Sequence, residues 1–305
     1  MNIAVTGGAG FIGSHIVEHL VNRGDSVTVI DNLHTGKIEN LDTVIDQINF
    51  IQADIRNIDS LKNVLKNVDG VFHEAALASV QESFSRPNEY YDVNVNGTEN
   101  ILKLAKKFGF KIVYASSSSV YGNPIDIPIK EDAQKMPVNP YAKTKLDDEI
   151  LAEKYAKNGV GVIGLRYFNV FGERQSENYA GVIKLFLERI QNKEPPIING
   201  DGSQIRDFVY VKDVVRANIL ALESNVKNAF INIGTGKTIS ILELANQIIK
   251  SSKLSLKPIH KNALEGDVHK SQADVTLAKK LLNWEYEVEL KDWLNETVSE
   301  LIRRN

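Results

Sequence analysis

The chain has 305 residues, of which 43% are hydrophobic and 25% charged, with a formal net charge of −3 and no cysteine. That size allows one large domain or two lobes, and the composition is that of an ordinary soluble protein. Disulfides, thiolate nucleophiles and cysteine-based metal sites are excluded, and the balanced charge offers no basic surface for nucleic acid or membrane.

In chain order, apolar runs at Ile3–Val5, Val27–Ile30, Phe50–Ile51, Gly70–His73, Lys111–Ala115 and Val160–Arg166 read as strands. Amphipathic patterns at Ile12–Arg23, Leu61–Asn67, Tyr91–Phe108 and Tyr141–Lys157 read as the helices that alternate with them. Strand–helix–strand alternation predicts an α/β fold, a Rossmann-type doubly wound parallel sheet. From about Asn169 the pattern changes. Pro195-Pro196, Gly200-Asp201-Gly202 and Gly234-Thr235-Gly236 punctuate helical patterns at Val182–Gln191, Val214–Glu223, Ile241–Ser251, Thr276–Leu282 and Lys291–Arg303. The expected division is a dinucleotide-binding domain over 1–168 and a smaller mixed α/β substrate lobe over 169–305, with 213–234 returning to the first. No apolar run approaches the roughly 20 residues of a membrane helix. No charged leader precedes the first strand-like run, so a cytoplasmic enzyme is expected.

Thr6-Gly7-Gly8-Ala9-Gly10-Phe11-Ile12-Gly13 joins the first strand to the first helix. Gly7 suits a tight turn, Gly10 removes a Cβ from the path of a pyrophosphate, and Gly13 allows close helix–strand packing. The helix N-terminus offers free N–H groups and the positive end of its dipole to phosphates. Such a glycine triplet is weak evidence by itself. Here it follows a strand and opens a helix, and Asp31 ends the next strand about 20 residues on, where an acid accepts from ribose hydroxyls. The negative charge of Asp31 would repel a 2′-phosphate, which favours NAD over NADP.

Tyr141-Ala142-Lys143-Thr144-Lys145 opens a helix behind Pro140. Tyr141 and Lys145 are four apart and share a helix face, whereas Lys143 points elsewhere. A phenol is a poor base at neutral pH, and an ammonium one turn away favours the phenolate. Ser116-Ser117-Ser118-Ser119 ends an apolar strand, on the side where open α/β sheets bind ligands. Serine runs are usually polar loops and YxxxK alone is a low-information pattern, but with the glycine loop they point to one site.

Together with Asp54-Ile55, His73-Glu74-Ala75-Ala76, Asn94-Val95-Asn96-Gly97-Thr98, Arg166-Tyr167-Phe168-Asn169 and Arg206-Asp207-Phe208-Val209-Tyr210-Val211, these motifs resemble the extended short-chain dehydrogenases/reductases nearly end to end. Within that group the chain is most similar to the UDP-hexose 4-epimerases of the NAD-dependent epimerase/dehydratase family. The resemblance implies NAD as cofactor, a UDP-sugar as substrate, no metal and a homodimer formed through helices such as Tyr91–Phe108 and Tyr141–Lys157. It implies Ser117, Tyr141 and Lys145 as the catalytic set, with Tyr141 as base and Lys145 also on the nicotinamide ribose. Gly7, Gly10, Phe11, Ile12 and Gly13 would then cradle the cofactor diphosphate. Asp31, Asn32, Leu33, Thr35 and Gly36 would surround its adenosine ribose. Asp54 and Ile55 would flank the adenine, while Ala75, Ala76, Leu77 and Tyr167 would line the rest. Ser79, Ser117, Tyr141, Asn169, Val182, Arg206 and Ser271 would contact the substrate, with Asn169 and Arg206 on the diphosphate.

Neighbouring activities are distinguished by the residues before Val120-Tyr121-Gly122. Sugar-nucleotide 4,6-dehydratases carry an Asp-Glu pair there, and UDP-glucuronate decarboxylases a Glu. Ser118 and Ser119 cannot serve as carboxylate acid or base, which favours epimerisation. A non-catalytic NAD-binding regulator is the alternative of another class, but such proteins usually lack the Tyr or the Lys. Ser271 stands where epimerases restricted to UDP-glucose and UDP-galactose tend to carry Tyr, so room for a 2-acetamido group is expected. Leu264 stands where the family usually has an arginine on the diphosphate; Arg206 with Lys261 or Lys270 would have to compensate. His73 reads as a buried, hydrogen-bonded histidine, and Trp284 and Trp293 as packing residues of the small lobe. His15 and His19 share a helix face but have no carboxylate partner of metal-site type.

Overall fold

A computed structural model describes residues 1–175 and 181–303. Strands β1 (Asn2–Thr6), β2 (Ser26–Asp31), β3 (Ile48–Gln52), β4 (Gly70–His73), β5 (Lys111–Ser117) and β6 (Val162–Tyr167) alternate with helices α1 (Phe11–Asn22), α2 (Ile58–Val64), α3 (Val80–Ser85), α4 (Pro87–Tyr91), α5 (Gly97–Phe108) and α6 (Pro140–Ala156). Beyond them lie β7 (Asn169–Phe171), α7 (Val182–Gln191), β8 (Ile197–Asn199), β9 (Ile205–Arg206), β10 (Phe208–Tyr210), α8 (Val211–Glu223) and β11 (Asn228–Ile233). The chain continues through β12 (Ile239–Ser240), α9 (Ile241–Ser252), β13 (Ile259–Lys261), α10 (Thr276–Leu282) and α11 (Leu290–Arg303).

Seven strands form one sheet in the order β11-β6-β5-β4-β1-β2-β3, every pair parallel. This is the doubly wound Rossmann-type α/β fold predicted from the alternation. The strand order reverses between β1 and β4, so the helices beside them diverge and leave a crevice at their carboxyl ends. The central strands are continuous apolar runs because both faces are covered. On one face Ile16, Val17 and Leu20 of α1 meet Val214 and Ala217 of α8; on the other Leu61 of α2, Ile101 of α5 and Ala152 of α6 pack together. The β11 strand lies beside β6 at the sheet edge, with α8 packed beneath. A separate core joins α7, α9 and α11 around Phe186, Ile190, Leu244, Ile248 and Leu294. Among the described residues, no helix is long and apolar enough to cross a membrane.

Three local readings change. The run 91–108 is not one helix: α4 starts at Pro87, Asp92–Asn96 widens into a π turn, and α5 begins at Gly97. The wide turn brings the Asn94 amide inward, where it accepts from the Leu77 N–H at 2.8 Å and donates to the Leu77 carbonyl at 3.0 Å. A residue that pairs with a loop backbone in this way is invisible to helical periodicity. The next helix, α2, starts at Ile58 rather than Leu61, because the Asn57 side chain caps it from the Ser60 N–H. Trp284 is not a small-lobe residue: it packs in the core beneath the large sheet and its indole donates to the Asp213 carbonyl at 2.9 Å.

Candidate active site

A cavity of about 430 Å³ opens at the carboxyl ends of the central strands. Gly7 takes φ +68°, and a Cβ there would sit 2.6 Å from the Ala75 nitrogen. A Cβ on Gly13 would sit 2.1 Å from the Gly7 oxygen. No other residue type fits these two positions. Gly10 caps α1 without a side chain and no acid occupies the first turn, so the helix N-terminus is uncovered where Gly10, Phe11, Ile12 and Gly13 line the cavity. Arg174 lines the same cavity, and its Nη1 is buried without a hydrogen-bond partner among the described residues. An uncovered dipole and an orphaned guanidinium nitrogen fit a diphosphate.

Asp31 is buried at the end of β2. Its Oδ2 accepts from the Ala9 N–H at 3.0 Å and its Oδ1 from the Leu33 N–H at 2.8 Å, while burial pushes the carboxyl up. Each oxygen retains lone-pair capacity for a ribose hydroxyl. Asn32, Thr35, Gly36, Ile55, Ala75, Ala76, Leu77 and Tyr167 line the cavity with it. Leu33 and Asp54 do not line it. Leu33 turns the chain at φ +58°. Asp54 accepts from Arg56 Nε at 2.9 Å and Nη2 at 2.8 Å, and from Asn32 at 3.0 Å, which hold its carboxyl far below the usual range.

Ser117, Tyr141 and Lys145 also line the cavity. Ser117 ends β5, and its hydroxyl oxygen accepts from the Ser119 hydroxyl at 2.9 Å and the Ser119 N–H at 3.2 Å. Tyr141 and Lys145 sit in the first turns of α6. Pro140 starts that helix, and the Asn139 side chain caps it by accepting from the Ala142 N–H at 2.8 Å. Lys145 is buried, and its ammonium donates to the Ala115 carbonyl at 3.0 Å and to Asp148 Oδ2 at 3.3 Å. Lys143 points away and pairs with Asp147.

Two ionisable groups behind the cavity are strongly perturbed. His73 is buried between Thr6, at 2.6 Å, and Thr98, at 2.9 Å, and burial pushes it down to about 3, leaving a neutral imidazole. Glu74 lines the cavity, and burial pushes its carboxyl up to about 7 against the pull of Tyr167 and Lys145. Asn218 Nδ2 donates to the Tyr167 oxygen at 2.7 Å, and the Tyr167 hydroxyl has Glu74 Oε1 and Asn218 Oδ1 as acceptors, each at 3.0 Å. A carboxyl raised from 4.5 in this way stabilises the fold below its unfolded value and loses that contribution as pH rises through about 7. The melting-temperature advantage of wild type over Glu74→Gln is therefore expected to shrink between about pH 5 and about pH 8. A difference independent of pH in thermal melts would contradict this.

The residues expected on the substrate lie outside that cavity, except Ser117 and Tyr141. Ser79 caps α3, accepting from the Glu82 N–H at 3.2 Å, and Val182 opens α7. Asn169 donates to the Asp207 carbonyl at 3.1 Å, and the Ser271 N–H donates to the Ile205 carbonyl at 3.2 Å. Arg206 pairs with Asp267 at 2.5 Å. Asn169, Arg206 and Ser271 thus gather around β7, β9 and the strip 265–271, which reaches back to α3 where Gln81 Nε2 donates to the Glu265 carbonyl at 3.1 Å. Leu264 is 44% exposed beside that strip. His15 is buried and bonded to the Glu173 carbonyl at 3.2 Å.

Residues 3–234 match the family described as the NAD dependent epimerase/dehydratase family. The chain belongs to that family. A UDP-glucose 4-epimerase from Thermotoga maritima, solved with UDP-glucose, superposes with a TM-score of 0.94 at 38% identity, over 100% of this chain and 99% of that one. A UDP-N-acetylglucosamine 4-epimerase from Methanobrevibacter ruminantium M1, in complex with UDP-N-acetylmuramic acid, gives 0.93 at 38% identity with the same coverage. A UDP-N-acetyl-alpha-D-glucosaminuronate decarboxylase from Bacillus cytotoxicus is 36% identical, over 96% of this chain and 95% of its own.

Motif reading passed over three groups at this site: Arg174, the Glu74 side chain and Asp148. Arg174 and Glu74 carry no pattern of their own. Asp148 did, because Tyr141, Lys145 and Asp148 follow the spacing of one helix face.

Proposed function

We propose that this protein is an NAD-dependent 4-epimerase of UDP-hexoses. The observation that carries the reading is the Ser117–Ser119 turn. Ser118 and Ser119 stand where an eliminating or decarboxylating relative would need a carboxyl group, and the Ser119 hydroxyl donates to that of Ser117. The carboxyls that line the cavity are bonded elsewhere: Asp31 to the Ala9 and Leu33 amides, Glu74 to Tyr167 and Glu89 to Arg86.

The glycine cradle, Arg174 and Asp31 would hold NAD, which would supply reversible hydride transfer at sugar C4. Tyr141 would remove the proton from the 4-hydroxyl and hold it until the hydride returns. The Lys145 ammonium, one helical turn away, would offset negative charge as it forms on the Tyr141 oxygen during proton transfer. Ser117 would bridge the sugar oxygen and Tyr141. Arg206 would exchange Asp267 for the substrate diphosphate, beside Asn169. Because the cofactor is restored within each cycle, tight NAD binding is part of the reading. A homodimer through the helical runs 91–108 and 141–157 would cover the exposed apolar side chains of Tyr91 and Ile150.

Incubation with UDP-Glc, UDP-Gal, UDP-GlcNAc and UDP-GalNAc separately, with products read by NMR, tests the assignment. Inversion at C4 alone is expected. A product that has lost water, or loss of a carboxyl carbon from a UDP-uronate included as control, would move the protein to a sister activity. Substrates carrying a 2-acetamido group are expected to be accepted, since Ser271 is small and buried at the substrate end. Ser271→Tyr should then lower kcat/KM for UDP-GlcNAc by about tenfold or more relative to UDP-Glc, as a steric clash does. Equal ratios before and after would sink the size argument.

A further inference from the structure

Lys145 is held by a partner outside the Ser–Tyr–Lys set. Asp148 follows Tyr141 by seven residues and Lys145 by three, so the three share one face of α6. Its side chain is fully buried. Oδ2 accepts from the Lys145 ammonium at 3.3 Å, while Oδ1 has no hydrogen-bond partner among the described residues. Thr98 neighbours the same carboxyl and connects through His73 Nε2, at 2.9 Å, and Nδ1, at 2.6 Å, to Thr6 of β1. A buried carboxylate with an orphaned oxygen is costly to the fold. The packing alone does not call for it.

An ammonium has three N–H donors. The Ala115 carbonyl takes one and Asp148 a second. We propose that Asp148 is a positioning residue which, with the Ala115 carbonyl, aims the remaining N–H of Lys145 into the cavity, at the cofactor ribose and the Tyr141 oxygen. The inference rests on the epimerase reading for its target but on the geometry of α6 for its cause. Burial pushes the Asp148 carboxyl up to about 7. The charged groups that act on it are Lys145 and Asp147 on α6; the buried Tyr114 beside it is acted on in turn by Glu149, Arg166 and Glu153, His73 on β4 is neutral, and Glu74 acts on Lys145 from the cavity. Above that pH the carboxylate grips the ammonium; below it the neutral acid is a weaker acceptor and the grip loosens.

The test uses NAD-loaded enzyme with Asp148→Ala and Asp148→Asn. The alanine variant is expected to lose roughly ten- to a hundredfold in kcat with little change in KM for the UDP-sugar, as a misaimed group does. It should also release NAD about tenfold faster on dilution, the size of effect seen when an orienting partner is lost. Asparagine keeps an acceptor but does not titrate. It should recover part of kcat and of the slow NAD release, close to what wild type shows below about pH 7, and remove the acid limb of the kcat profile that Asp148 sets. Wild-type turnover and NAD release in the alanine variant would overturn the proposal, and so would an asparagine variant as impaired as alanine. A purely structural Asp148 would change the melting temperature and leave the pH profile and NAD release unmoved. NAD release is read without any sugar, so it decides the matter even if the protein turns over no UDP-hexose and the functional reading alone fails.

Discussion

Tyr141→Phe is expected to lower UDP-hexose turnover by about 10²–10⁴-fold, the usual contribution of a general base, while NAD remains bound. The variant removes one oxygen and keeps the ring. The helix carrying it is capped by Asn139, and Lys145 has its own anchors in Ala115 and Asp148, so the rest of the site has no reason to move. The glycine cradle is formed by the β1–α1 turn and by Glu74 and Ala75, and none of its close contacts involves the phenol. Retained NAD absorbance with lost turnover is therefore the expected pair of observations. Full activity in this variant would falsify the assignment of the base.

Glu149→Ala is expected to destabilise the protein by about 3–5 kcal/mol, as removal of one member of a buried ion pair does. Arg166 is 1% exposed. Its Nε and Nη2 donate to the two Glu149 oxygens at 2.8 Å each, and its Nη1 donates to the Tyr121 hydroxyl at 2.7 Å. Ser116 donates to Glu149 at 2.7 Å. Glu149 is thus the acceptor at the centre of a buried network that ties α6 to β5 and β6. Without it a guanidinium stays buried between the Tyr121 and Phe230 rings with no carboxylate among the described residues bonded to it and the Glu131 carboxyl nearby. Since α6 also carries Tyr141 and Lys145, turnover should fall along with stability. A loss under about 1 kcal/mol in urea unfolding of the NAD-loaded protein would show that the network relaxes without its acid.

What proved legible in advance was whatever repeats along the chain. Parallel strands covered on both faces must be apolar throughout, and the helices that cover them must be amphipathic, so six strands and the helices among them stand out by period alone. The glycine loop was legible because two of its positions tolerate no Cβ at all, and the family membership because its motifs extend over most of the chain. The short pairings of the smaller lobe were not legible. Strands of two or three residues such as β9 and β12 carry no period, and their partners come from distant segments. The π turn at Asp92–Asn96 was hidden for the same reason: Asn94 answers to the Leu77 backbone, not to its own helix.

By itself, then, the amino-acid sequence determined the sheet, the cradle and the Ser117–Tyr141–Lys145 candidates, because each is encoded in neighbouring residues through backbone sterics or helix spacing. Only the tertiary structure decided which charges meet. It put Asp148 under Lys145, Glu74 against Tyr167, Asp267 on Arg206, and Trp284 beneath the large sheet rather than in the small lobe. Those outcomes depend on burial and on contacts between segments far apart in the chain. Desolvation and pairing set the cost or gain of a charge, and neither has a local signature.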